Sequence, residues 1–239
     1  MVESYLNDVV AKIMRKRAVL SDQRSLLVGV SGIDGSGKGY VAKQIEARLA
    51  LRSIAAANIN VHGWLNLPDK RFNAIRPEEH FYDNAIRFDE LFAKLLVPLK
   101  EHRSVNLVAD FAEESDGNYR KHTYSFKDVG VVLVEGIFLF KRAHRKVFDL
   151  AVWVDCSFPT ALARALARAQ EGLSPAETIR AYETIYFPAQ EIHFGCDNPR
   201  ETADLIIDND QTPAVATART SRVQRRQGYE LRAGQYQRL

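Results

Sequence analysis

The stretch VGVSGIDGSGKGYVAKQI, Val28 to Ile45, decides how this chain is read. It opens as a buried strand, turns through glycines and closes as the first turns of a helix. Val41, Ala42, Ile45 and Leu49 then share one helical face. Gly32, Gly35 and Gly37 let backbone N–H groups turn inward toward phosphate oxygens, and the helix N-terminus adds the positive end of its dipole. Lys38 supplies a mobile positive charge. Gly32-Ile33-Asp34-Gly35-Ser36-Gly37-Lys38 thus matches a phosphate-binding loop in its proper strand–turn–helix setting. The motif normally continues with Ser or Thr, whereas this chain has Gly39. Gly37-Lys38-Gly39-Tyr40-Val41-Ala42 also satisfies the dinucleotide fingerprint G-x-G-x-x-A. That reading needs an acid at the end of the second strand to hold a ribose. No acid occurs between Glu46 and Asp69, so it fails.

The same alternation continues outward from the loop. Apolar runs at Leu26–Val30, Ile59–Val61, Val131–Val134 and Ala151–Val154 lack strict alternation, as strands covered on both faces do. Asp204–Ile207 adds a fifth. Helical patterns lie between them, one through Ile86, Leu91, Phe92, Leu95 and Leu99. Another starts at the capping box Ser174-Pro175-Ala176-Glu177 and is expected to bend at Pro188. Strands alternating with helices predict a doubly wound α/β sheet with helices on both faces. Between about Ser104 and Phe126, SVNLVADF and HTYSF flank Asp116-Gly117-Asn118, which predicts an appended β-hairpin.

Composition sets the outer limits. A chain of 239 residues, 46% hydrophobic and 26% charged, suits a soluble protein with a sizeable core. No apolar run approaches the roughly 20 residues of a membrane span, and the N-terminus lacks signal-peptide order, so a cytoplasmic protein is expected. Cys156 and Cys196 have no metal or redox spacing and are read as reduced thiols. From Gln211 onward six arginines face one acid, Glu230, although the whole chain is only +3. This basic tail has few aromatics and no binding motif. A solvated or subunit-contacting extension, compatible with a homo-oligomer, is expected rather than a nucleic-acid-binding arm. The predicted organisation is one domain over 1–210, with an N-terminal helical extension over 1–24, and the tail over 211–239.

Beyond these features the chain resembles the uridine kinase group of kinases, whose relatives include pantothenate kinase and phosphoribulokinase. The resemblance runs from about Leu27 to Asp210. It rests on VSGIDGSGKG, HFYDNAIRFDEL, VNLVADF, VVLVEGIFLF, FDLAVWVDC, IYFPAQE and ADLIID. The resemblance implies a P-loop NTPase fold: three α/β/α layers, a five-stranded parallel sheet, a small β-hairpin over the substrate and an arginine-bearing helical lid. It also implies an ATP-dependent kinase that uses Mg²⁺ to phosphorylate a hydroxyl of a small metabolite.

The implied roles fall on particular residues. Gly32, Asp34, Gly35, Ser36, Gly37, Lys38, Gly39 and Tyr40 would hold the nucleotide phosphates. Glu135, at the end of a buried strand, would lie beside the metal and γ-phosphate; a structural acid capping the next turn is the alternative. Arg164 and Arg168, four apart on a helix, would close over the phosphates, unless they only form a solvated face; Arg180 is a weaker candidate. Asp83 and Asp110 fall where the family holds its acceptor, and Tyr124 and Tyr186 are pocket or core aromatics. The family's tyrosine before the D-F pair is here Ala109, which argues against ordinary uridine or cytidine recognition. His62 aligns with the family's catalytic aspartate. It can accept a hydroxyl proton when its imidazole is neutral, or it can merely end the strand; Asp69 is a conceivable substitute. With Gly39 and His62 both altered, a nucleotide-binding regulatory protein of reduced catalysis is the competing class.

Overall fold

A computed structural model of the chain describes residues 2–169 and 172–210. In chain order its elements are α1 (Val2–Ala18), β1 (Leu26–Ser31), α2 (Lys38–Ala50), β2 (Ala56–Asn60), α3 (Pro68–Arg71), α4 (Pro77–Asn84), α5 (Phe88–Leu91) and α6 (Val97–His102). The hairpin strands β3 (Val105–Phe111) and β4 (Arg120–Phe126) follow, then β5 (Val131–Gly136) and β6 (Leu150–Asp155). The chain continues through α7 (Phe158–Arg168), α8 (Pro175–Ala181), α9 (Phe187–Asp197), α10 (Pro199–Thr202) and β7 (Leu205–Asp208). The basic tail expected over 211–239 lies outside the described residues.

The main sheet has five parallel strands in the order β2-β5-β1-β6-β7. Their side chains alternate between two cores, as period-two geometry requires. Leu26, Val28 and Val30 of β1 and Val131 and Leu133 of β5 pack under α1 and α2, with Leu6, Ile13, Ile45 and Leu49. Leu27, Val132 and Val134 face the other way, toward Leu91, Leu95, Leu99 and Phe138. Covering both faces explains why the strands read as unbroken apolar runs.

The expected hairpin is present as β3 and β4, antiparallel from Val105↔Phe126 to Phe111↔Arg120. It forms a separate two-stranded sheet joined to the body by a bridge between Trp64 and Ala112. The second strand is displaced from its expected bounds. It begins at Ala56, and Val61 already belongs to a 3₁₀ turn, Val61–Gly63. The reason is local: the Asn60 side chain accepts a hydrogen bond from the His62 N–H at 2.7 Å and turns the chain.

The expected bend at Pro188 takes another form. Helix continues from 175 to 197 but passes through a π turn, Tyr182–Tyr186, immediately before Pro188. The same device precedes Pro98, with a π turn at Phe92–Leu96. Proline has no N–H to offer the preceding turn, and the wider turn shifts the hydrogen-bond register around that gap.

Candidate active site

Parallel α/β sheets bind ligands beyond the carboxyl ends of their strands, and the glycine loop leaves the end of central β1. Gly35 and Gly37 adopt φ of 76° and 87°, the left-handed region that suits glycine. A Cβ on Gly35 would also lie 2.6 Å from the Ala161 carbonyl oxygen of α7. Arg164 Nη1 donates to the carbonyl oxygens of Gly35 and Ser36, each at 3.3 Å, and Asn209 Nδ2 donates to that of Ser36 at 2.7 Å. These donors hold the loop's oxygens toward α7 and the end of β7. Ser36 Oγ is buried and finds no protein partner among the described residues.

Asp34 gathers the charges around the loop. Lys38 Nζ lies 4.0 Å from Asp34 Oδ1, and Arg168 Nη2 lies 3.6 Å from Oδ2. The Tyr182 hydroxyl also donates to Asp34 Oδ2. Burial pushes the Asp34 carboxyl up, but Lys38, Arg168, Tyr182 and His62 outweigh it and hold the group below its ordinary value. The same environment acts on His62. Burial and then the positive charge of Lys38 drive its imidazole down to about 4, so it is neutral at physiological pH.

Glu135 ends β5 beside β1, in register with Val30 and with Asn60 of β2. It is buried, and that burial raises its carboxyl above the ordinary range despite Lys38 and Lys43. The absent side chain of Gly39 has a direct consequence here. A Cβ on Gly39 would lie 3.2 Å from Glu135 Oε1 and 3.8 Å from Oε2. The carboxylate therefore lies against the position where the motif normally carries its hydroxyl residue.

Two clefts adjoin at His62, the first of them beside the loop. One, of about 210 Å³, is lined by Asp34, His62, Arg71, Glu114, Tyr186 and Gln190, with Phe81 and Ile137 among its apolar walls. The other, of about 510 Å³, lies between β2 and the hairpin and includes Asn60, His62, Phe111, His122 and Tyr124. His62 and Glu114 line both, with His62 Nδ1 3.7 Å from Glu114 Oε1.

The structure thus brings Asp34, Lys38, Glu135, His62 and Arg168 into one neighbourhood and places Tyr186 and Tyr124 on the adjoining clefts. Other candidates stand apart. Arg164 braces the back of the loop, and Tyr40 points outward, 59% exposed. Asp83 is exposed on α4, and Asp69 and Arg180 are exposed too. Asp110 pairs with Lys121 across the hairpin at 2.6 Å and lines neither cleft. The chain pattern did not single out Arg71, Glu114 or Gln190. In Lys70-Arg71 two cations stand side by side, and only packing buries the second.

A glycine loop on the central strand, a buried lysine at its end and a carboxylate on the neighbouring strand define a P-loop kinase-type site. The model of the phosphoribulokinase / uridine kinase family matches residues 27–209, and the chain belongs to that family of small-molecule kinases. A uridine kinase of Staphylococcus aureus is 27% identical over 195 residues, covering 80% of this chain and 90% of the relative. Among solved structures, a possible uridine kinase from Bacillus stearothermophilus has a TM-score of 0.65 at 21% identity, covering 85% of this chain and 99% of that one. D-glycerate 3-kinase from Cryptococcus neoformans has a TM-score of 0.59 at 13% identity, covering 87% and 96%.

Proposed function

We propose that this protein is a cytoplasmic, ATP-dependent kinase that phosphorylates a hydroxyl group of a small metabolite and is not an ordinary uridine or cytidine kinase. The observation that carries this reading is the convergence of Lys38, Glu135 and His62 where the phosphate loop meets a cleft. The N–H groups at the start of α2 and Lys38 would hold the β- and γ-phosphates. Arg168 supports the same charge from α7.

Magnesium suits these residues. It needs one or two protein carboxylates, the rest of its shell being phosphate oxygens and water. Glu135 is one buried carboxylate beside the loop, and no cluster of three or more His, Cys, Asp or Glu occurs among the described residues to build a full protein cage. Glu135 would hold the ion, which supplies neutralisation of phosphate charge when bound.

In the transfer itself, the acceptor oxygen bonds to the γ-phosphorus as its bond to the β–γ bridging oxygen breaks, and ADP leaves. The hydroxyl proton passes to the neutral His62 imidazole and then to solvent. A group titrating at about 4 is a weak base. Phosphoryl transfer through a loose transition state asks more of orientation than of base strength, which suits a neutral imidazole.

Gly39 and His62 favour one second reading, a nucleotide-binding regulator with reduced turnover. Calorimetric titration with ATP, with and without Mg²⁺, followed by ADP-release assays across nucleosides, sugars and hydroxy acids separates the two. The kinase reading expects Mg²⁺-dependent ADP release with at least one acceptor. Tight nucleotide binding with no release across the panel supports the regulator instead.

A further inference from the structure

Arg71 is a buried charged side chain that the phosphate chemistry leaves unused. It ends α3 and is only 4% exposed. Nη2 donates to the backbone oxygen of Glu114, and the guanidinium stands 5.1 Å from the centre of the Phe72 ring. Its Nε is buried with no hydrogen-bond partner among the described residues, and no carboxylate among them lies within ion-pair distance of it, although Glu114 attracts it from farther away. A buried cation without a close counter-ion is costly, so proteins nearly always pair one.

Of the carboxylates lining the same cleft, Asp34 is matched by Lys38 and Arg168, while Glu114 stands 3.7 Å from the neutral His62 imidazole and attracts Arg71 without reaching ion-pair distance. A second orphan shares the cleft: Gln190 Oε1, in a residue 1% exposed, accepts no hydrogen bond among the described residues. A cation with a free N–H and no close anion, and an acceptor oxygen with no donor among the described residues, thus line one partly apolar cavity that also contains His62.

Building on the kinase reading, we infer that this cleft is the acceptor site and that the acceptor is anionic, a polyhydroxy carboxylate or a sugar phosphate. Arg71 holds the anion through charge-assisted hydrogen bonds, Gln190 accepts from a hydroxyl, and another hydroxyl faces His62. A neutral nucleoside would leave Arg71 buried without a close anion.

The test uses three probes on one sugar frame: ribonate, ribose 5-phosphate and ribose, with uridine as the neutral nucleoside. Binding is measured by calorimetry on the full chain with a non-hydrolysable ATP analogue and Mg²⁺ already bound, so that the phosphate loop cannot take the anion. At least one anion is expected to bind about ten- to a hundredfold more tightly than ribose, the margin of a charge-assisted contact. Comparing ribonate with ribose 5-phosphate separates carboxylate from phosphate. Arg71→Gln should erase the preference and leave the affinity for the ATP analogue unchanged, while Arg71→Lys should retain part of it. Equal binding of anionic and neutral probes, or a preference that survives in Arg71→Gln, overturns the inference. If Arg71→Gln does not fold, the probe comparison on the unaltered protein decides by itself. If the analogue does not bind, the kinase reading fails separately, and the same probes are compared in Lys38→Ala, where the loop's cation is gone.

Discussion

At the scale of single residues, the site is governed by how charge is distributed around a buried loop. His62 shows this best. Its folded value of about 4 lies below the ordinary 6.5, chiefly through burial and then through Lys38. Between those values the unfolded chain binds a proton that the native chain refuses, so stability rises with pH in that window and falls as pH drops from 6.5 toward 4. The contribution is at most about 3 kcal/mol. Urea denaturation at several pH values should show this slope reduced in His62→Asn relative to the unaltered protein. Glu135→Gln removes the carboxylate beside the loop while keeping its shape; turnover should fall about a hundredfold or more, with a smaller change in ATP affinity by calorimetry. Gly39→Ser offers a sharper comparison. Its Cβ would sit 3.2 Å from Glu135 Oε1, so the new side chain crowds the carboxylate. No sharp rise in kcat is expected, and a large rise would show that the missing hydroxyl is a simple defect.

At the scale of elements, two attachments shape the clefts. The hairpin rests on the 3₁₀ turn at Gly63, where a Cβ would meet the Phe111 ring at 2.7 Å and the Tyr124 hydroxyl at 2.9 Å. Gly63→Ala should push the hairpin off this turn and cost about 1–3 kcal/mol in urea denaturation. The acceptor KM should rise while nucleotide affinity holds. On the other side, Asp197 of α9 accepts from the Tyr82 hydroxyl of α4 and from the Arg142 N–H at 2.8 Å, and its Oδ2 lies 2.7 Å from His193 Nδ1. These contacts clamp α4 to α9 behind Phe81 and Gln190, which face the smaller cleft. The hairpin and the capping box at Ser174 were legible from turn residues and spacing, because those signals are local. The π turns before Pro98 and Pro188 were not, since a proline in a helical pattern tells where a hydrogen bond is missing and not how the neighbouring turn absorbs the loss.

At the scale of the whole molecule, the five-stranded order places β1 between β5 and β6, so the loop, Glu135 and α7 converge at the carboxyl end of the sheet. Ligand binding there should stabilise the entire fold. At a hundred times the dissociation constant, ATP adds about 2.7 kcal/mol, which for a domain of this size raises Tm by about 5–10 °C. Thermal unfolding with ATP should show this shift, and Lys38→Ala should abolish most of it. The chain pattern by itself determined the phosphate loop, the α/β alternation and the hairpin, because each depends on residues close in sequence: glycines where backbone must turn, apolar runs where both strand faces are covered. Only the tertiary structure decided that Glu135 fills the space beside Gly39, that Arg164 braces the loop from behind, and that Arg71 rather than Lys70 is buried. Those outcomes depend on which distant segments share a cavity. Burial and counter-ions are properties of that shared space, and no local pattern of residue types carries them.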